Sequence, residues 1–178
     1  MKDFAALFTT LDQTTKTSVK TAALAEYFRT APADDKLWTV ALLSGRRPRR
    51  TITSSRLRDW AAERAGIPSW LFEACYPVVG DLSETIALIL PEPDPAARID
   101  KPLSQWIADL RAHDSTDDAA RKAFVLAAWE GLAPTERFVF NKLITGGWRM
   151  GVSQKLMTRA LAEATGIEEA ELAHRLMG

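Results

Sequence analysis

The sequence repeats itself at an interval of 100 residues, and this repeat constrains the fold more than any other feature. The match needs no gap over roughly 25 residues, and such internal periodicity is typical of duplicated structural units. The matched pairs are Leu43 and Leu143, Arg49 and Arg149, Ile52 and Val152, Thr53 and Ser153, Leu57 and Met157, Gly66 and Gly166, and Ile67 and Ile167. Upstream, Ala31-Pro32 matches Ala133-Pro134 after a small insertion. We infer two similar halves related by a pseudo-two-fold axis.

Apolar residues recur with the period of an α-helix along the whole chain, whereas the alternation typical of strands never persists. Phe4, Leu7, Phe8 and Leu11 open the chain at helical spacing. We therefore predict an all-α fold of about eleven short helices. The predicted helix starts are Ser18, Asp34 or Asp35, Thr53 or Ser54, Pro68, Asp81, Thr116, Ser153 and Glu168. The buried face of the second helix is predicted at Val19, Ala22, Ala23, Tyr27 and Phe28.

The segment PEPDPAARID (91–100) separates the two halves. Its three prolines within five residues are incompatible with a continuous helix. We expect 91–100 to be a linker between half-repeats at about 1–90 and 101–178, which together form a single domain.

Composition excludes several classes of function. The only cysteine, Cys75, cannot form an internal disulfide, and with two histidines the chain offers no plausible zinc site. No apolar run approaches the roughly 18 residues of a membrane span, and the N-terminus lacks a signal-peptide pattern. Neither a Ser-His-Asp nor a Cys-His arrangement is indicated, and both histidines, His113 and His174, are expected at the surface. The net charge is +0, so any site for nucleic acid must come from local clustering of cations.

Such clustering occurs in the repeated loop, which reads LLSGRRPRRTITSSRLR at 42–58 and KLITGGWRMGVSQK at 142–155. Both copies have a helix, a glycine stop, an arginine-containing loop and a helix that begins at Ser or Thr. The start of that helix exposes unpaired backbone N–H groups, which favour phosphate. The candidate site residues are Arg46, Arg47, Arg49, Arg50, Thr53, Gly146, Gly147, Arg149, Gly151, Ser153 and Lys155.

Two equivalent loops in pseudo-symmetric halves suit the local two-fold symmetry of double-stranded DNA. Arginine side chains and backbone N–H groups contact phosphate and sugar, which carry no sequence information directly. Neither loop has the polar helix face of a major-groove reader. The expected activity is sequence-tolerant binding of duplex DNA along the minor groove.

Less specific explanations of these residues exist. A solvated surface is an alternative, less favoured explanation of the arginine run, and a helix C-cap is an alternative explanation of the glycine pair. Trp60, Trp70, Trp106 and Trp129 fall on apolar helix faces and are expected in the core. Trp148 lies in the loop, where packing beneath the loop and contact with a sugar edge remain open. Asp114, Asp117 and Asp118 are expected to be helix-start charges rather than metal ligands.

The segment LITGGWRMGVSQKLMTRALAEATGI (143–167) resembles the end of the N-terminal DNA-binding domain of ATP-dependent DNA ligases. That family has a leucine-rich helix, a glycine, Leu-Arg-x-Gly-hydrophobic-Ser/Ala and an alanine-rich helix. Gly146, Arg149, Gly151, Val152 and Ser153 match the pattern, with Trp148 in place of the usual leucine. Residues 133–146 and 2–31 resemble the preceding helix and the family's opening segment. The most similar branch is the bacterial ligases with a ligase I-like three-domain layout.

This resemblance implies an all-helical domain that binds the minor groove on both sides of a nick. It implies DNA contacts at Gly146, Arg149, Gly151 and Ser153, and the duplication extends these to Arg49, Arg50 and Thr53. The first loop, RRPRRTITS, lacks the glycine-rich form of the family, so its positive charge supports DNA binding more strongly than its individual contacts do.

Catalysis in the family belongs to a nucleotidyltransferase domain and an OB-fold domain. No lysine of this chain is followed by x-Asp-Gly, the adenylation motif, so no catalytic residue and no cofactor are expected in it. ATP and Mg²⁺ are implied only for a full-length ligase, and the catalytic domains are expected outside this sequence.

The resemblance further implies DNA repair, replication or recombination in the bacterial cytoplasm, with the protein a monomer associated with the nucleoid through DNA. Two other functions stay open. ITSSRLRDWAAERAGIP (52–68) resembles half of a helix-turn-helix, as in a transcription regulator. A helical scaffold whose arginine loop binds an acidic protein is the third possibility.

Overall fold

A computed structural model describes residues 1–46 and 48–177, without the side chain of Met177. It contains eleven α-helices and no strand within these residues, which confirms the predicted fold class. The helices are α1 Lys2–Gln13, α2 Thr17–Thr30, α3 Ala33–Leu43, α4 Ser54–Ala65, α5 Ser69–Val79, α6 Leu82–Ile89, α7 Leu103–Ala112, α8 Asp118–Gly131, α9 Pro134–Thr145, α10 Gln154–Thr165 and α11 Glu169–Met177. None of the described helices has the length and apolar composition needed to cross a membrane.

Helix ends follow the local chemistry of the sequence at most positions. The side chains of Thr53, Asp81, Asp117 and Ser153 each accept a hydrogen bond from a backbone N–H of the helix that follows. Ser18 does not act in this way, because α2 begins one residue earlier and has Lys16 at its cap without a side-chain bond. The prediction of a Ser18 cap was therefore wrong.

The chain forms two compact units. The terminal unit consists of Lys2–Arg47 and Trp148–Gly178, and the central unit consists of Met1 and Pro48–Gly147. Apart from Met1, the described chain changes unit between residues 46 and 48 and again at 147–148, about 100 residues later. Each unit combines helices from both halves of the sequence.

The terminal unit contains α1 to α3 together with α10 and α11. Helix α2 packs along α10, and α1 and α11 cover this pair. An aromatic cluster fills the core beside α1, where Phe4 lies edge-on to Tyr27 at a centroid distance of 6.2 Å. Burial of such aromatic surface supplies much of the stability of a small helical unit.

The central unit contains α4 to α9, with α6 packed on α9 and α4 in contact with α8. Trp106 and Trp129 are about 1% exposed, and Trp60 is 6% exposed, so these tryptophans lie in the core as predicted. Trp70, by contrast, is 70% exposed on α5, so the prediction that it lies in the core was wrong. His113 is half-buried and its ring stacks on that of Phe124 with a centroid distance of 4.4 Å. The prediction that His113 lies at the surface was therefore only partly correct.

The proline-rich segment 91–100 is fastened to the central unit. The N–H of Ile99 donates to the carbonyl oxygen of Gly131 at 2.8 Å, and the guanidinium of Arg98 pairs with Glu136 at 2.5 Å. Arg137 donates to the carbonyl oxygen of Pro91 at 2.7 Å. The segment has one short 3-10 turn, Pro95–Ala97, and no α-helix, as the prolines predict.

The core of the terminal unit contains a phenol whose ionisation is linked to stability. Burial raises the pKa of Tyr27 from 10.0 to about 12, although the nearby hydroxyl of Thr39 acts in the opposite direction. The folded state thus keeps a proton that the unfolded state loses above pH 10, so the free energy of unfolding falls between about pH 10 and pH 12. We expect a loss of about 1.4 kcal/mol by pH 11 from this group.

Urea denaturation of the parent and the Tyr27→Phe variant between pH 8 and pH 11 measures this contribution. The variant is expected to lose less stability over that range, because its other titrating groups are unchanged. An equal loss in both proteins would show that the Tyr27 phenol ionises normally.

Candidate nucleic-acid interface

The two loops predicted from the repeat begin and end alike. In the first, α3 ends at Leu43 and α4 begins after Thr53, whose Oγ1 accepts a hydrogen bond from the N–H of Arg56 at 3.3 Å. In the second, α9 ends at Thr145 and α10 begins after Ser153, whose Oγ accepts from the N–H of Leu156 at 3.1 Å. Both following helices end at a left-handed glycine, Gly66 and Gly166. The helix after the loop is therefore in register at both of its ends, whereas α9 ends two residues later than α3 on the repeat.

The burial of side chains also matches between the two loops at three equivalent positions. Pro48 and Trp148 are buried, Arg49 and Arg149 are exposed, and the caps Thr53 and Ser153 are exposed. Arg50, however, is exposed where its counterpart Met150 is buried, so the first loop presents a cation at a position where the second loop does not. The repeat thus preserves the outward position of one arginine in each loop.

Five cations of the two loops are exposed and unpaired. They are Arg46, Arg49, Arg50, Arg149 and Lys155, and none of their side chains has an ion pair or hydrogen bond with another residue of the described ranges. Arg47, also predicted as a site residue, lies outside the described residues. With the exception of Arg111, every described arginine elsewhere pairs with a carboxylate or a carbonyl oxygen, as Arg64 does with Glu130 at 3.0 Å. Unpaired guanidinium groups are thus concentrated in these loops.

The part of the first loop from Pro48 onward is anchored within the central unit by Thr51 and Ile52. Ile52 is 2% exposed, and the Oγ1 of Thr51 bonds the carbonyl oxygen of Leu110 at 3.4 Å and the carboxylate of Asp114. These contacts hold the backbone while Arg49 and Arg50 remain exposed. Asp114 accepts this bond, whereas the predicted helix-start roles of Asp117 and Asp118 agree with their positions at α8.

The glycines of the second loop differ in accessibility. Gly146 is buried and its N–H is bonded to the carbonyl oxygen of Lys142 at 2.8 Å, whereas Gly147 is exposed. Gly151 is exposed and has a φ of +65°, a conformation that favours glycine. Backbone approach by a ligand is therefore open at Gly147 and Gly151, and not at Gly146.

Trp148 belongs to the core of the terminal unit. It is 6% exposed, and its ring centroid lies 5.6 Å from the rings of both Phe4 and Phe8. The alternative left open by the sequence is decided in favour of packing beneath the loop.

Lys20 is the residue of this region that sequence reasoning missed. It is 8% exposed, and its Nζ donates to the carbonyl oxygens of Met150 at 2.7 Å and Gly151 at 3.3 Å. The predicted buried face of α2 was wrong at its first turns, because Val19 and Ala22 are exposed while Lys20 and Leu24 are buried. The spacing of Lys20, Leu24, Tyr27 and Phe28 is helical, and that was the available signal.

No cluster of three or more His, Cys, Asp or Glu side chains in the described ranges is suited to hold a metal ion. The chain likewise has no Lys-x-Asp-Gly sequence to accept AMP.

Comparison with known proteins identifies the family. The sequence matches the profile of the family described as DNA ligase N terminus over residues 1–162 of its 178 residues. No curated protein sequence matches the chain significantly. Because the family match covers most of the sequence, the chain belongs to the N-terminal domains of ATP-dependent DNA ligases, and its role is that of a DNA ligase domain.

Proposed function

We propose that this chain binds double-stranded DNA without base preference, along the minor groove around a nick. The observation that carries the proposal is the concentration of exposed, unpaired cations in the repeated loops, above all Arg49, Arg50 and Arg149. Cations without acidic partners in the protein attract an external anion, and the DNA backbone offers a regular series of phosphates. Membership of a ligase family makes DNA the favoured polyanion.

The loops favour contacts to phosphate over contacts to bases. Each is followed by a helix of 12 residues whose first N–H groups have no intrahelical acceptor. The cap hydroxyls of Thr53 and Ser153 each satisfy one of these groups, and the others remain free for an anion. Contacts of this type fix the position of a protein on DNA without reading its sequence.

In a whole ligase, this domain would hold the nicked duplex while a nucleotidyltransferase domain and an OB-fold domain carry out adenylation and sealing. ATP and Mg²⁺ would be bound by those partners, since this chain lacks the adenylation motif. We further propose a monomer that acts in DNA repair, replication and recombination in the bacterial cytoplasm, associated with the nucleoid through DNA.

Binding to short fluorescent duplexes, measured by anisotropy at several salt concentrations, tests the proposal. If about four to six phosphates are neutralised, log affinity should fall with log salt at a slope of about −4 to −5. Duplexes of unrelated sequence should bind equally, and a minor-groove-binding drug should compete. Intact and nicked duplexes of one sequence should be compared in the same assay.

Two outcomes would favour the other candidate functions. Affinity that differs tenfold or more among unrelated duplexes would favour a helix-turn-helix regulator built on 52–68. Absence of DNA binding at low salt would favour a scaffold whose arginine loop binds an acidic protein.

A further inference from the structure

We propose that Lys20 is a positioning residue that turns two peptide groups of the second loop toward a DNA phosphate. This inference rests on the proposed function and assigns a role to a residue that does not itself reach DNA. All the residues involved, Lys20 and 149–155, belong to the terminal unit.

The burial of Lys20 in the core of the terminal unit costs free energy because its charged group is removed from water. Its ammonium group is buried, and its partners are the neutral carbonyl oxygens of Met150 and Gly151 rather than a carboxylate. A buried cation without a counter-charge is not favoured over an apolar residue of similar volume for stability alone. The geometry of the second loop indicates a role for Lys20 in orienting the backbone.

The bonds to Lys20 fix the orientation of two consecutive peptide planes. No peptide bond of the described residues is cis, and in a trans peptide the carbonyl and the N–H point in opposite directions. Because the carbonyl oxygens of Met150 and Gly151 point at the Nζ of Lys20, the N–H groups of Gly151 and Val152 point away from it. Neither N–H has an acceptor within the described residues.

These two N–H groups form a ready site for one oxyanion. Consecutive N–H groups around a residue of positive φ, here Gly151 at +65°, form an anion-binding concavity. The exposed Arg149 precedes them, and the free N–H groups at the start of α10 follow Ser153. A phosphate of the DNA backbone is the anion that this arrangement fits.

Gly151 and Lys20 are matched to each other sterically. A Cβ atom at Gly151 would lie 2.6 Å from the Nζ of Lys20, closer than real contacts allow. Glycine therefore permits both the positive φ and the close approach of the ammonium group, so the two residues hold this loop conformation together.

The test compares Lys20→Met with Arg149→Ala and with Lys16→Met, an exposed lysine just before α2. Duplex affinity is measured against salt, and folding is followed by thermal unfolding. We expect Lys20→Met to remain folded and to bind about tenfold more weakly, since hydrogen bonds to a charged group are lost. Its salt slope should equal that of the parent, whereas Arg149→Ala should lower the slope by about one. Lys16→Met should leave affinity within about twofold of the parent.

Distinct outcomes separate this inference from the proposed function. Failure of the parent to bind duplex overturns the proposed function, and with it this inference. If Lys20→Met folds and binds duplex as tightly as the parent while Arg149→Ala binds more weakly, the positioning role of Lys20 is overturned and the proposed function stands. A slope change in Lys20→Met equal to that of Arg149→Ala would make Lys20 a phosphate contact and would also overturn its positioning role.

A second measurement on the parent applies even if Lys20→Met fails to fold. In amide NMR spectra of the ¹⁵N-labelled chain, a short duplex should shift the Gly151 and Val152 signals. Gly166, which caps the far end of α10, serves as the control. Absence of any shift at Gly151 and Val152 when the duplex is bound would overturn the inference.

Discussion

Simultaneous replacement of Arg49, Arg50 and Arg149 by alanine is expected to weaken duplex binding about 500-fold in 0.1 M salt. Each phosphate contact contributes about 0.9 to the salt slope, so three lost contacts remove about 2.7 logarithmic units between 0.1 M and 1 M salt. The slope itself should fall from about −4.5 to about −2. Anisotropy titrations from 0.05 to 0.4 M salt measure both quantities.

The matched control removes three arginines, two exposed and one half-buried, that already have partners. Arg29, Arg159 and Arg175 each pair with a glutamate, so their replacement by alanine changes the net charge equally. We expect a much smaller loss of affinity from this control. Each surface substitution should alter stability by no more than about 0.5 kcal/mol, so unfolding does not explain a difference.

The separate loops should contribute in proportion to their contacts. Arg149→Ala alone should lower the salt slope by about one, and the pair Arg49→Ala with Arg50→Ala by about two. If all these variants bind as tightly as the parent at low and moderate salt, the loops are solvated turns and the site assignment is wrong. The family assignment, which rests on the whole sequence, would stand.

Trp148→Ala is expected to be the most destabilising change in the second loop, at about 3–5 kcal/mol. The indole is 6% exposed and packs against Phe4 and Phe8, so its removal leaves a cavity lined by aromatic rings. Denaturant unfolding monitored by circular dichroism measures the loss. Trp148→Phe should cost less, because a smaller aromatic ring still fills part of the space.

Trp70→Ala is the control for this experiment. Trp70 is 70% exposed, so its truncation should change stability by no more than about 0.5 kcal/mol. Equal stability of Trp148→Ala and Trp70→Ala would contradict the packing of Trp148 beneath the loop. It would reopen a contact between the indole and DNA.

Much of the local structure was predictable because it depends on neighbouring residues. Thr53, Asp81 and Ser153 start helices by bonding backbone N–H groups a few residues away, so their role is visible in a short segment. The cationic loops were predictable for the same reason, since the repeat brings Arg49 and Arg149 into register. The individual DNA contacts of these loops remain predictions.

Predictions that depend on distant partners were less accurate. Alanine occupies several faces of α2, so periodicity alone did not separate the exposed Ala22 from the buried Leu24. The burial of Lys20 depends on carbonyl oxygens 130 and 131 residues away. Trp70 has the same apolar character as Trp106, yet no element covers it in the central unit, and it remains exposed.

The sequence by itself determined the helices, most of their caps and the repeated loops, because these follow from contacts within a few residues. Only the tertiary structure decided which helices pack together. The first three helices of the chain join α10 and α11, and α4 to α6 join α7 to α9, so each compact unit draws on both sequence halves. An apolar helix face specifies that it must be buried but not against which partner, and related repeats offer similar faces.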